Sequence, residues 1–189
     1  MSNIFVDSLQ RRIRAMNVLW DRAAHDMTLE QVNHHERSGI LPIAFSISHA
    51  IRVQDRVIQQ YFFGASPLWE RGDWARRIAV TVDRVGPGVS VAEMELLRFG
   101  DLAAWIAYQS EVIATTDRVL DTLDEAVLQE VVGPPFTAES IGFTAIMVGV
   151  GNPLRKLDVL EGIVYQHGLR HLGEMEHARA LVGLGGLAG

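Results

Sequence analysis

The sequence predicts an all-α fold, a four-helix bundle with long connecting loops, on three observations. Four long segments keep their apolar residues at helical spacing. Asparagine or proline stands where several of those segments begin. No series of alternating runs marks a sheet. The 189 residues carry no internal repeat, low-complexity block or linker, so residues 1–189 read as one domain long enough to bury a substantial core.

The first helix is expected from about Asn3 to Ala24, with Phe5, Leu9, Ile13, Met16 and Trp20 on the inner stripe and Arg11, Arg12 and Arg14 off it. Thr28 and Gln31 have capping-box spacing and predict a short helix. Asn33 to Gly39 is polar and reads as a loop; its His34 and His35 are expected at the surface, with a role as extra ligands the alternative. Pro42 opens a second long helix, carried to about Phe63, with a wide apolar face on which His49 lies between Phe45 and Val53.

From Gly64 to Ser90 the pattern weakens, broken by Pro67, Gly72, Gly86, Pro87 and Gly88. Trp69 and Trp74 in this connection either wall a pocket or pin the loop to the core. Ser90 and Glu93 cap another short helix. The third long helix spans about Asp101 to Leu123, with Leu102, Ile106, Ile113, Leu120 and Leu123 on one face. A helical turn ending at Gly133 follows, stopped by Pro134 and Pro135. Phe136 to Gly151 is apolar and glycine-containing; a strand, a loop over the bundle and an oligomer contact are all open. Gly149 and Gly151 do not make a phosphate loop, because no strand–helix unit or Walker lysine accompanies them.

The fourth long helix starts at Asn152 and Pro153, as cap and first helical residue. Its stripe runs through Leu157, Leu160 and Val164 to His167, His171, Glu174 or Met175, and Ala178. The tail beyond Leu181 is glycine-rich and expected to fray. His167 and His171 stand one turn apart on the inward face. Histidines at this spacing offer two nitrogens to one metal ion, but zinc wants three or four ligands. His49 would supply the third if the second helix packs beside the fourth; otherwise it is a hydrogen-bonded core residue.

Composition restricts the chemistry. There is no cysteine, so any metal is held by histidine and carboxylate, and a cysteine nucleophile is excluded. The net charge of -6 argues against a nucleic-acid partner. Neither a signal peptide nor a membrane helix is visible, so a cytoplasmic protein with no membrane partner is expected.

Three stretches resemble the DinB-like (YfiT-like) superfamily of metal-dependent enzymes. They are Met27 to Val32 followed by Ile43 to His49, then Leu68 to Ala75, then His167 to Glu174, and together they cover most of the chain. The resemblance implies a four-helix bundle whose metal ligands are His49, His167 and His171. It implies a divalent ion, zinc or nickel or else iron, and often a homodimer. Characterised relatives include transferases and isomerases that use low-molecular-weight thiols. Two departures stand out: Glu174 occupies the place of a usual glutamine, and Phe136 to Gly151 is longer and more apolar than the pattern. The expectation is therefore a metal-dependent transferase or isomerase acting on a small-molecule substrate with a small thiol. Metal-dependent hydrolysis or a non-catalytic, stress-related metal- or ligand-binding bundle is the alternative. Glu174, one turn beyond His171, is the candidate catalytic carboxylate, orienting that histidine or relaying a proton; its plainer role is a solvent-facing charge.

Overall fold

The computed structural model describes residues 3–84, 89–140 and 142–187. Gly86, Pro87 and Gly88, used in the sequence reading, and Ile141, inside its apolar stretch from Phe136 to Gly151, lie outside the described residues.

The chain is mainly helical. Helix α1 spans Ile4–His25, opened by Asn3, whose side chain accepts from the Phe5 amide. Helix α2, Leu29–Val32, has both halves of the expected capping box. Helix α3, Ile43–Ile58, follows Pro42 and continues as a π-helical stretch, Gln59–Phe63, stopped by Gly64 at φ 60°. The connection holds α4 (Leu68–Arg71), α5 (Trp74–Ile78) and α6 (Val91–Met94) before α7, Leu102–Asp121. After α8 (Glu125–Gln129) come strand β1 (Val131–Pro135), α9 (Phe143–Val148) and strand β2 (Pro153–Arg155). The last rod is continuous: α10 (Lys156–Asp158), a π-helical stretch Val159–Gln166, and α11 (His167–Leu181). Helix α1 packs on α7 and α11, and α3 packs on α7 and α11.

Two sequence boundaries are corrected. The turn after α7 ends at Gln129, not Gly133, because Val131 to Pro135 pairs antiparallel with Pro153 to Arg155. The same pairing takes Asn152 and Pro153 out of the last helix, which starts at Lys156 instead. Such a short ribbon interrupted by prolines lacks the alternation that identifies a strand.

Phe5 is not on the inner stripe: it is 80% exposed, and Val6 is buried in its place. The inner face of α7 is also rotated from the expected one. It buries Trp105, Tyr108, Gln109, Val112, Thr115, Thr116, Val119 and Leu120, while Ile106 and Ile113 are only half-buried. The reason is a polar seam inside the core, which apolar counting misses. Gln54 donates to Asn17 Oδ1 at 3.2 Å and to Thr116 Oγ1 at 2.8 Å, and Gln109 donates to the Trp20 carbonyl at 2.9 Å.

Asp55 organises the connection. Its carboxylate accepts from the Leu68 and Trp69 amides and from the Tyr108 hydroxyl, each at 2.9 Å. It thereby caps α4 from another helix, where Pro67 offers no side-chain cap. Burial pushes its carboxyl up from the usual range, against the pull of those donors. Trp69 and Trp74 are loop anchors: their rings pack on Tyr108 at 5.1 and 5.5 Å, under the guanidinium groups of Arg52 and Arg77.

The tail is held rather than frayed through Leu187, which is buried. Arg22 donates to the Leu187 carbonyl at 2.7 Å, Arg179 to that of Gly185 at 3.0 Å, and the Leu187 amide to Glu176 at 2.9 Å. No helix among the described residues is long and apolar enough to cross a membrane.

Candidate metal centre

Helices α3 and α11 run side by side, and at their seam three imidazoles meet. His49 Nε2 lies 3.2 Å from His167 Nε2, which lies 3.2 Å from His171 Nε2. The three ligand atoms are all within 4.8 Å of one another, and no other such group of histidines and carboxylates exists among the described residues. Imidazoles bound tetrahedrally at ~2.0–2.1 Å hold their nitrogens about 3.3 Å apart, so the two 3.2 Å separations suit one ion.

Local packing explains why the rings converge. The fully buried line on the last rod runs through Val164, Gly168, Leu172, Met175 and Arg179. His167 and His171 stand beside that line, half-buried, and His49 stands beside the buried line of α3. The triad is thus at the border of the core, not in its middle, with protein behind it and solvent within reach. Gly168 lets α11 lie close to α1 at that turn: a Cβ there would lie 2.4 Å from Met16 Sδ and would have to displace the methionine. The π-helical stretch directly before His167 widens the backbone, as such stretches do at many functional sites.

Each ring is fixed differently. His171 Nδ1 meets Glu174 Oε2 at 2.6 Å, which puts its proton on Nδ1 and leaves Nε2 a lone pair towards the other two rings. His49 stacks on Phe45, with centroids 5.4 Å apart and planes at 8°. His167 is held edge-on between its two partners. Burial, reinforced by the neighbouring His171 and Arg56, lowers His49 to about 4; burial, with His171 and His49, lowers His167 to about 3. Both are therefore neutral at pH 7, the state in which imidazole ligates.

The structure brings His49, His167 and His171 together and sets Glu174 behind His171. It does not bring His34 or His35 to them. His34 lies 3.1 Å from Glu36, and His35 lies 4.0 Å from Glu95. Glu174 is 59% exposed and Met175 is buried, which resolves the position the helical stripe left open. The sequence reading missed the π-helical stretch and the Gly168–Met16 contact; the glycine after His167 was the available signal for the second.

No family model matches the chain, and no curated protein sequence does. Its fold is similar to the crystal structure of a conserved protein from Enterococcus faecalis. The TM-score is 0.73 at 16% identity, over 97% of this chain and 99% of that one. That likeness establishes a shared fold across the whole chain.

Proposed function

We propose that the protein is a DinB-like four-helix-bundle enzyme that uses a divalent metal ion and a low-molecular-weight thiol to transfer a group to, or isomerise, a small organic substrate. The observation that carries this reading is the convergence of the three Nε2 atoms of His49, His167 and His171 at metal-ligand spacing. An all-imidazole donor set suits zinc, nickel or iron. An ion held there supplies Lewis acidity, which lowers the pKa of a thiol or water and polarises a carbonyl.

The chain's own residues do the rest. Desolvation keeps His49 and His167 unprotonated and available. Glu174 acts as a positioning residue, holding the His171 tautomer through Nδ1. The chain has no cysteine, so the thiol comes from outside. A second reading, hydrolysis, is favoured by Glu174 itself, a largely exposed carboxylate one imidazole away from the centre and able to relay protons. The apolar side chains of Ile146, Val150 and Phe143 on and after α9 are exposed, and we read this face as the one that two copies bury in a homodimer.

The test is a panel of small thiols and organic electrophiles assayed with metal-loaded protein. Turnover that needs both thiol and metal supports the transferase or isomerase reading. Metal-dependent turnover of esters or amides without thiol favours the hydrolase, and turnover unchanged after the metal is stripped would remove both.

A further inference from the structure

One turn along the same seam, a cleft of about 310 Å³ opens between the start of α3, the loop before it and the end of α11. Ile40, Leu41, Ile43 and Leu181 give it apolar walls, and two of these, Ile40 and Leu181, remain in contact with solvent. Its charged groups are one-sided. Glu36 and Glu174 line it beside the imidazoles of His34 and His177, and no lysine or arginine does.

Both carboxylates have capacity to spare. Glu174 uses Oε2 for His171, and Glu36 uses Oε2 for His34. The Oε1 of each accepts no hydrogen bond among the described residues. The arginines near the triad lie towards the other end of the seam: Arg52 and Arg56 follow His49 on α3, and Arg170 precedes His171 on α11. The cleft end of the seam is therefore acidic and apolar, while of the arginines beyond the histidines Arg52 is already paired with Asp83.

We propose that this cleft is a binding subsite for an organic cation, an apolar body carrying a basic nitrogen that pairs with Glu36 and Glu174. The proposal deepens the metal-centre reading and rests on it for the subsite's purpose. A ligand anchored here by its basic end directs its other end along the seam towards the triad, where an electron-rich group meets the ion. No lysine or arginine lines the cleft, so an anionic tail is disfavoured there beside the two carboxylates. Glu174 belongs to both places, which couples occupancy of the cleft to the hydrogen bond on His171.

The experiment is calorimetric titration of the zinc-loaded chain with (4-phenylbutyl)trimethylammonium, which cannot ligate a metal, and with neutral 4-phenylbutan-1-ol. The cation is expected to bind about tenfold tighter, the increment of one partly shielded ion pair. Glu36→Gln should bring the two to within about twofold, since that exposed side chain is hydrogen-bonded to His34 alone among the described residues and an exposed change of this kind leaves the fold intact. The alcohol binding as tightly as the cation, or a cation preference unchanged in Glu36→Gln, overturns the proposal. Zinc content measured on the same samples separates the two readings. A chain that prefers the cation but holds no zinc keeps the subsite and loses the metal centre, and zinc bound without a cation preference does the reverse.

Discussion

Glu174 Oε2 and His171 Nδ1 lie 2.6 Å apart, on the edge of the imidazole opposite the nitrogen that faces His167. On the proposed metal centre, this contact makes Glu174 a support for His171. Carboxylates in this place are worth about 10–100-fold in metal affinity. Glu174→Ala should weaken zinc affinity within that range. Glu174→Gln, which keeps an acceptor oxygen, should weaken it less, and competition with a chromogenic chelator reads both. Equal affinities for all three proteins would make Glu174 a surface charge only.

Metal-free protein should lose stability on mild acidification. His49 and His167 are held at about 4 and about 3 in the folded chain, mainly by burial, against about 6.5 unfolded. Above pH 6.5 both states are neutral there, and stability is at its full value. Between pH 6.5 and about 4 the unfolded chain binds these protons and the folded chain does not, so stability falls with pH. Urea midpoints across that range should drop in the wild type and drop less in a His49→Gln, His167→Gln protein.

Asp55 should be a structural residue that can be separated from the centre. Asp55→Ala strands two amides and a buried hydroxyl, a loss of about 3 kcal/mol. Thermal unfolding should show the loss while the metal equivalents of the folded fraction stay unchanged.

Gly168→Ala forces a Cβ against Met16, which a flexible methionine accommodates only in part. The expected cost is about 1–2 kcal/mol, with weaker metal binding because His167 is the neighbouring residue. Adding Met16→Ala should recover part of the binding, and a double-mutant cycle measures the coupling. Independent effects of the two changes would show that the contact does not set the depth of α11.

The dimer reading predicts a mass of twice 21.0 kDa by light scattering at micromolar concentration. It also predicts dissociation on Ile146→Asp, because Ile146 is 79% exposed in the single chain. A 21.0 kDa species in the wild type rejects it.

Much of this arrangement is legible in the sequence, for physical reasons that differ by element. Helical spacing located the four long helices, because burial on one face repeats with the turn. The capping boxes at Thr28 and Ser90 were readable because a short motif carries the whole interaction. The His167–His171 pair was readable from its one-turn spacing, whereas His49 joined it only through the family resemblance, because a histidine on an apolar face reads equally as a hydrogen-bonded core residue. What stayed hidden depends on contacts between distant residues. The polar seam of Gln54, Asn17 and Thr116 turned α7 away from its apolar count. The Val131–Arg155 ribbon has too few residues to show a period. Leu187 is held by Arg22 from the far end of the chain, which the glycine count of the tail could not show.

The central claim is that His49, His167 and His171 hold one divalent ion. Zinc loading, gel filtration and elemental analysis of the wild type beside His167→Ala test it most directly. About one equivalent per chain in the wild type, lost in the variant while helical circular dichroism is kept, is the predicted result. A full equivalent retained by His167→Ala, or none bound by the wild type, would contradict it.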